Sequence, residues 1–158
     1  MKVRELMRAD VASVDRSATV SELARLMLEQ QQRGIPVVNP SGSLEGLVTE
    51  TDLVTKHARV HVPVYLGILG TVLPFETRHS DEEIKRALAV SAGELMETEI
   101  VTVGPDDDIE EAATLMVEED ADPIPVVENN KLIGLIGRAD FIRLLLIEEE
   151  TPGPDSQP

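Results

Sequence analysis

The chain contains no cysteine and no tryptophan, and its aromatic side chains are limited to one tyrosine and two phenylalanines. The absence of cysteine excludes a disulfide scaffold, a thiol nucleophile and a zinc site built from thiolates. It is consistent with a reducing compartment, and we expect a cytoplasmic localisation. The scarcity of aromatic rings leaves almost no stacking surface for single-stranded nucleic acid.

Basic residues are also scarce. Lysine and arginine together number 14 against 30 aspartates and glutamates, which gives a net charge of −16. A surface of this charge repels the phosphates of nucleic acids and of anionic lipids, so neither nucleic acid nor a membrane is expected as a partner. A small anionic ligand is not excluded, because a few basic side chains and helix N-termini can outweigh a distant field.

Long apolar runs are missing as well, since none reaches the roughly 18 residues needed to cross a bilayer. The longest apolar segment, from Val60 to Phe75, is interrupted by histidine, proline and glycine. The N-terminal residues alternate charged with apolar side chains, unlike a signal peptide. With 158 residues, 42% of them hydrophobic, the chain is long enough to bury a core.

What the sequence does contain is an internal repeat. When the chain is shifted by 89 positions, residues 3–39 align with residues 92–128, and the shift becomes 88 after one gap. The shared residues include an Ile-Pro-Val-Val run that begins at Ile35 and again at Ile124. Such self-similarity indicates two copies of one structural unit. A unit of about 50 residues buries its apolar face poorly alone, so the two copies are expected to pack into one body.

Each copy is predicted to fold as β-α-β-β-α, which makes the chain an α/β protein of the α+β type. Residues 1–55 form the first repeat and residues 92–147 the second. Runs of β-branched residues predict strands, and capping boxes followed by a 3.6-residue apolar period predict helices. The predicted elements are strands at Val11–Val14 and Ile100–Val103, helices capped at Thr19 and Asp108, strands at Ile35–Val38 and Ile124–Val127, strands at Leu44–Val48 and Leu132–Ile136, and helices from near Asp52 and Asp140.

Residues 56–91 form an insert between the repeats. Within it Val62–Phe75 is apolar, and a capping box from Ser80 predicts a short helix through Ala89. An exposed apolar patch marks an interface, so we expect Val62–Leu69 to lie at a homodimer contact or to cover the edge of the pair. Residues 148–158 are acidic and rich in proline, and they predict a disordered tail.

This ordered pattern, present twice, resembles the CBS-domain family, whose tandem pairs are called Bateman modules. The resemblance covers residues 3–55 and 92–146. It implies two repeats related by a pseudo-twofold axis and packed sheet to sheet, with two clefts between them. In the family those clefts commonly take adenosine nucleotides, and many pairs assemble further into dimers.

The family signature is glycine, an apolar residue, any residue, threonine or serine, two further residues and then aspartate. Gly46, Leu47, Thr49 and Asp52 complete it in the first repeat. The resemblance implies that the aspartate accepts hydrogen bonds from the two ribose hydroxyls, which a carboxylate can do. It also implies that the threonine lies near the ribose or a phosphate.

In the second repeat Leu135 and Asp140 match the signature, but Gly137 stands in place of the hydroxyl residue. A ribose contact is therefore implied there, whereas the hydroxyl contact to phosphate is in doubt. The resemblance further implies that each cleft joins the aspartate of one repeat to the Ile-Pro strand of the other. The expected neighbours are Asp122, Pro123 and Ile124 for Thr49 and Asp52, and Arg33, Gly34 and Ile35 for Asp140.

The two clefts are expected to be unequal. Gly34 would leave room for a base beside Asp140, and Arg33 could contact a phosphate there, whereas Asp122 would repel phosphate beside Asp52. Two plainer interpretations stay open, because the Thr49 motif is also a capping box for any helix start and Arg33 could be a solvated charge. Four apolar residues could line an adenine slot or serve only as core: Leu47, Leu135, Ile35 and Ile124.

We therefore expect a stand-alone regulatory pair of CBS domains that senses AMP, ADP or ATP, with S-adenosylmethionine and cyclic di-AMP less favoured. It is expected to require no cofactor, to form a homodimer, to act on an effector protein and to have no catalytic activity. The alternative is a structural dimerisation module with clefts that do not bind, which regulates a partner by contact. Thr49, Asp52 and Asp140 favour the first function, and Gly137 and Asp122 favour the second.

Metal and catalytic sites are not expected. His57 and His61 have helical spacing and His79 could add a third ligand, but Pro63 limits any helix there, so exposed or interface histidines are the favoured interpretation. The run from Asp106 to Asp108 is interpreted as helix capping. No phosphate-binding loop, nucleophile elbow or His-Glu-x-x-His motif occurs.

Overall fold

The structure is a computed structural model that describes residues 1–60, 65–68, 71–74 and 90–150, with side chains for residues 1–55 and 90–149. The predicted helix of residues 80–89 and residues 151–158 lie outside the described residues, as do His61 and His79. Helices and short antiparallel strands alternate along the chain. In order they are α1 (Val3–Leu6), α2 (Val20–Gln30), β1 (Gly34–Val38), β2 (Leu44–Thr49), α3 (Glu50–Val60), β3 (Tyr65–Ile68), β4 (Thr71–Pro74), α4 (Ala92–Leu95), α5 (Ile109–Glu118), β5 (Ile124–Glu128), β6 (Lys131–Ile136) and α6 (Arg138–Glu150).

The two repeats form the same antiparallel pair of strands. Strand β1 pairs with β2, and β5 pairs with β6, each with a register shift at the second valine of the Ile-Pro-Val-Val run. Pro36 lies in β1 and Pro125 lies in β5, and neither has an amide hydrogen to donate. Each of these strands pairs along its full length with only one neighbouring strand, where proline is tolerated. The mixed α+β class and the repeated β-β-α order are therefore as predicted.

The strands predicted at Val11–Val14 and Ile100–Val103 are wrong. Only their last residues reach a sheet: Val14 bridges to Val37 and Val103 bridges to Val126, both in parallel. Turns follow directly, because Asp15 accepts a hydrogen bond from the Ser17 amide and Asp107 accepts one from the Gly104 amide. These side-chain turns lead the backbone away from the sheet after one residue.

The helix-capping predictions have two outcomes. Thr19 caps α2 in a complete capping box, with the Thr19 amide donating to Glu22 and the Glu22 amide donating to the Thr19 hydroxyl. Asp108 is at the N-cap position of α5, but its side chain makes no capping hydrogen bond. It accepts instead from Lys2 Nζ at 2.8 Å, and this bond lowers the pKa of Asp108. The ammonium group of Lys2 thus donates to Asp108 in place of a backbone amide of α5.

Each repeat contributes a short helix to the core of the other, which the sequence analysis did not predict. Val3 of α1 is fully buried among second-repeat residues that include Met116, Ile124 and Ile136. Ala92 of α4 is fully buried in the first-repeat core with Leu23. The exchange is reciprocal, as a twofold relation between the repeats requires. Neither repeat completes its core from its own residues.

The segments that follow the exchanged helices explain why the repeated motif contains a glycine. Arg8 forms two backbone hydrogen bonds with Leu135, at 2.8 and 3.0 Å, and Glu97 forms two with Leu47. A Cβ atom at Gly134 would lie 2.6 Å from the Arg8 carbonyl oxygen, and one at Gly46 would lie 2.9 Å from the Glu97 carbonyl oxygen. Only glycine lets the exchanged segments approach β2 and β6 this closely.

The insert and the chain end differ from expectation in two places. Strands β3 and β4 form a two-stranded antiparallel hairpin inside the insert, where only an apolar segment was predicted. Helix α6 continues to Glu150, three residues into the segment predicted as a tail. The predicted interface role of the insert is not tested by the described residues.

A glycine substitution tests the close approach of the exchanged segments. Gly134→Ala is expected to lower the free energy of unfolding by about 2–3 kcal/mol, because the new methyl group meets a backbone oxygen that cannot rotate away. Gly104→Ala is the matched control, since its Cβ would meet only Asp107 side-chain atoms at 3.5 Å or more. Urea denaturation of both variants measures the difference, and equal stabilities would contradict this packing.

Candidate functional site

A cavity of about 290 Å³ lies between the two repeats, which is at the small end of the range for ligand sites. One wall is the junction of β2 and α3 in the first repeat. The other consists of the segment after α4 and the turn between α5 and β5. We call it the Asp52 cleft. It is lined by Leu47, Thr49, Thr51, Asp52, Glu97, Glu99, Ile100, Val101, Glu119, Asp120, Ala121, Asp122 and Pro123.

Thr49 and Asp52 form a hydrogen-bonded unit at the start of α3. Oδ2 of Asp52 accepts from the Thr49 amide at 2.8 Å and from the Thr49 hydroxyl at 3.1 Å, and the Asp52 amide donates to the same hydroxyl at 3.4 Å. The capping interpretation of the motif is therefore correct. Oδ1 of Asp52 accepts no hydrogen bond from any described residue, so capping leaves one carboxylate oxygen available in the cleft.

The structure brings the predicted neighbours of Asp52 together, although not all of them line the cleft. Asp122 and Pro123 share the cleft with Thr49 and Asp52. Ile35 and Ile124 are completely buried in the two cores. Gly34 does not face open space: a Cβ there would lie 2.8 Å from Pro123 Cδ. The expected room for a base beside Gly34 is thus filled by Pro123.

Asp140 occupies the equivalent position in the second repeat, but its environment differs. It is only 4% exposed, and its Oδ2 accepts from the Gly137 amide at 2.8 Å. Its Oδ1 accepts from the guanidinium of Arg143. Both oxygens are engaged, so a ribose at this position would have to displace Arg143.

Arg8 lies at the position that corresponds, through the repeat, to Glu97 of the Asp52 cleft. Its backbone pairs with Leu135 of β6, and its guanidinium donates to the carbonyl oxygens of Gln30 at 3.1 Å and Gln31 at 3.2 Å. These carbonyls end α2, where a cation is favoured. Arg8 and Arg143 were not among the predicted site residues. The helical spacing of Asp140 and Arg143 was an available signal for Arg143, whereas no local signal identifies Arg8.

Arg33 and Asp122 occupy equivalent positions in the two repeats, and they form an ion pair with each other at 2.9 Å. Asp122 also accepts from the Arg138 amide at 3.2 Å. Arg33 donates to Glu50 at 3.2 Å, and this bond, followed by the charge of Asp122, raises the pKa of Arg33. Arg33 was predicted to contact phosphate or to be a solvated charge. Its side chain is 59% exposed, pairing with Asp122 across the repeats and with Glu50 within its own repeat, and no described contact joins it to Asp140. The phosphate contact stays a prediction.

The Asp52 cleft is more acidic than the sequence analysis predicted. Only Asp52 and Asp122 were proposed for it. The lining carboxylates are Asp52, Glu97, Glu99, Glu119, Asp120 and Asp122.

Comparison with known proteins assigns the family. The CBS-domain model matches residues 3–59 and 92–147, which is more than half of the chain. The chain belongs to the CBS-domain family. Its resemblance to the family and its fold class are therefore confirmed.

Two relatives of this chain differ in the share of their own length that matches it. An uncharacterized protein of Methanocaldococcus jannaschii is 27% identical over 157 residues, with 92% of each chain covered. Homoserine O-acetyltransferase of Methanohalobium evestigatum is 26% identical over 147 residues, covering 90% of this chain and 24% of the enzyme. This CBS pair thus corresponds to about a quarter of that enzyme.

Two solved structures share the fold. The CBS domain pair of protein MJ0100, in complex with 5′-methylthioadenosine and S-adenosyl-L-methionine, has a TM-score of 0.71 at 16% identity, covering 94% of this chain and 98% of that one. CBSX2 in complex with AMP has a TM-score of 0.70 at 23% identity, with the same coverage. At these identities the likeness concerns the fold alone.

Among the described residues, no helix combines the length and the apolar composition of a membrane span. Over the same ranges, no group of three or more histidine or acidic side chains is arranged to hold a metal ion.

The buried Asp140 carboxylate provides a stability test. Arg143→Met is expected to lower the free energy of unfolding by about 1–3 kcal/mol, because it leaves a buried charge with one hydrogen bond. Arg138→Met is the matched control, since Arg138 pairs with the 92% exposed side chain of Asp120 and should cost under about 1 kcal/mol. Adding Asp140→Asn to Arg143→Met should recover part of the loss in urea denaturation. A double variant no more stable than Arg143→Met alone would contradict the assignment.

Proposed function

We propose that this protein is a regulatory module that binds an adenosine compound in the Asp52 cleft. The observation that carries the proposal is the open Oδ1 of Asp52, held at the cleft by Thr49 through the other carboxylate oxygen. A fixed carboxylate with one free oxygen suits the vicinal hydroxyls of a ribose. No catalytic activity is proposed.

The cleft offers each part of an adenosine a suitable neighbour. Ribose hydroxyls would donate to Asp52, and the base would rest on apolar atoms of Leu47, Ile100, Val101 and Pro123. A ligand there would contact both repeats at once, so it would stabilise the arrangement in which the two walls are close. That differential contact is what a ligand needs to shift a conformational equilibrium.

The solved relatives support the ligand class. The MJ0100 pair holds 5′-methylthioadenosine and S-adenosyl-L-methionine, and CBSX2 holds AMP. These three ligands share an adenosine moiety. We infer that AMP, ADP, ATP and S-adenosylmethionine are the candidates for this chain, and that binding is reported to an effector protein.

A second function, a homodimerisation module, is favoured by an apolar face on α5 and α6. Val117, Ile142 and Leu145 are 61–77% exposed, and a groove of about 460 Å³ beside them has almost entirely apolar walls. Exposed patches of this kind mark interfaces. A second copy of the chain would present the same apolar face, and a twofold contact of like surfaces is the commonest form of homodimer. Both functions are compatible, since ligand binding could act through the dimer.

Ligand binding is tested by a thermal shift panel of adenosine, 5′-methylthioadenosine, S-adenosylmethionine, AMP, ADP and ATP. At least one compound should raise the melting temperature of the wild type by several degrees, since a ligand at 100 times its dissociation constant adds about 2.7 kcal/mol. Asp52→Asn should lower the affinity for that compound about tenfold or more, because a charged hydrogen-bond acceptor is lost. Asp140→Asn is the matched control in the other repeat and should retain the shift. No shift with any compound would refute the ligand-binding function.

The dimer is tested by sedimentation velocity. Wild-type protein should sediment as a dimer, and Ile142→Glu with Leu145→Glu should convert it to a monomer, because two buried charges at an interface cannot be solvated. Leu28→Glu with Val54→Glu is the matched control on exposed positions of α2 and α3. A monomeric wild type, or a double variant that stays dimeric, would rule out this interface.

A further inference from the structure

The charge of the Asp52 cleft bears on which adenosine compound it accepts. Its six lining carboxylates are accompanied by no lysine or arginine among the described lining residues. Glu97, Glu99 and Glu119 are exposed and form no ion pair within the described part of the chain. Of the other carboxylates, Asp120 pairs with Arg138 and Asp122 pairs with Arg33. The three glutamates and Asp52 keep their charges, so the cleft presents a negative field to whatever enters it.

This acidity is not a requirement of the fold, because the second repeat provides an internal comparison. The positions equivalent to the six carboxylates carry two arginines, two aspartates and two glutamines, which sum to no net charge. They are Asp140, Arg8, Asp10, Gln30, Gln31 and Arg33. The same backbone thus accepts a neutral set of side chains, and the negative charge is a property of one cleft.

The groups that could offset a phosphate at this cleft are already engaged. The amide and the hydroxyl of Thr49 both donate to Asp52, and the Glu50 amide donates to the Arg33 carbonyl oxygen. The guanidinium of Arg33 is held by Asp122 and Glu50. The N-terminus of α3 is therefore poorly prepared to receive an anion.

Elementary electrostatics sets the size of the effect. A phosphate monoester carries nearly two negative charges at neutral pH. In surroundings with the dielectric constant of water, one such charge about 7 Å from one carboxylate lowers the affinity about threefold. The repulsions from several carboxylates add, and salt screens part of their sum. One positive charge on the ligand at the same distance raises its affinity by the same factor. An adenosine with a neutral or cationic 5′ group should therefore be preferred by about tenfold or more.

We propose that the Asp52 cleft selects an adenosine compound whose 5′ substituent is uncharged or positively charged, such as a thioether or a sulfonium, and discriminates against 5′-phosphates. The proposal rests on the proposed function, since it specifies the ligand class of the same cleft. The open oxygen of Asp52 serves the ribose, and the remaining carboxylates set the preference for the 5′ group.

Calorimetric titration with 5′-methylthioadenosine, S-adenosylmethionine and AMP tests this selectivity in the full chain. The signal assigned to the cleft is the binding that Asp52→Asn weakens. The first two compounds should bind about tenfold or more tightly than AMP at about 50 mM salt. At about 300 mM salt, AMP should bind more tightly than before and S-adenosylmethionine less tightly, because screening removes repulsion and attraction alike.

A charge variant separates electrostatics from shape. In Glu97→Gln/Glu99→Gln/Glu119→Gln, the ratio of 5′-methylthioadenosine affinity to AMP affinity should fall about tenfold. The matched control removes three exposed carboxylates outside the cleft lining, in Glu29→Gln/Glu110→Gln/Glu111→Gln, and should leave that ratio within about twofold.

The outcomes are distinguishable. AMP binding as tightly as 5′-methylthioadenosine, with both weakened by Asp52→Asn, would overturn the selectivity and leave the proposed function in place. An unchanged affinity ratio in the charge variant would also overturn it. Failure of every compound to bind would overturn the proposed function together with this inference.

Discussion

The exchange of short helices between the two cores is the constraint on which the rest of this structure depends. Val3 completes the second-repeat core and Ala92 completes the first, so neither repeat is a finished unit alone. The same exchange carries Arg8 onto β6 and Glu97 onto β2. One wall of the Asp52 cleft is therefore supplied by the segment that also holds the repeats together, which couples the arrangement of the repeats to that cleft.

The two repeats share one backbone arrangement, but the charges around their signature aspartates, Asp52 and Asp140, differ. Arg33 and Asp122, at equivalent positions, neutralise each other between the repeats. Away from that pair the charges diverge: Asp140 is paired with Arg143 and nearly buried, whereas Asp52 keeps an oxygen open beside several unpaired glutamates. Two structurally equivalent sites can therefore have different ligands, or one can bind while the other serves only to join the repeats.

Much of the fold followed from sequence because it rests on local signals. The capping box at Thr19 and the Ile-Pro-Val-Val strands depend on neighbouring residues, and both were predicted correctly. The exchanged helices were not, since four-residue helices have no periodicity and their burial depends on the other repeat. For the same reason the Thr49–Asp52 unit was identified from its motif, while Arg8 and Glu97 required knowledge of contacts distant in sequence.

Amide chemical shift perturbation in the full chain with 5′-methylthioadenosine locates the bound compound on the protein. Binding in the Asp52 cleft predicts that the largest changes occur at Thr49 and Asp52 and, across the cleft, within residues 97–101 and 119–123. The amides around Gly137 and Asp140 should change little. Changes centred on Gly137 and Asp140, or none at all at saturating ligand, would contradict the central claim that the Asp52 cleft is the binding site.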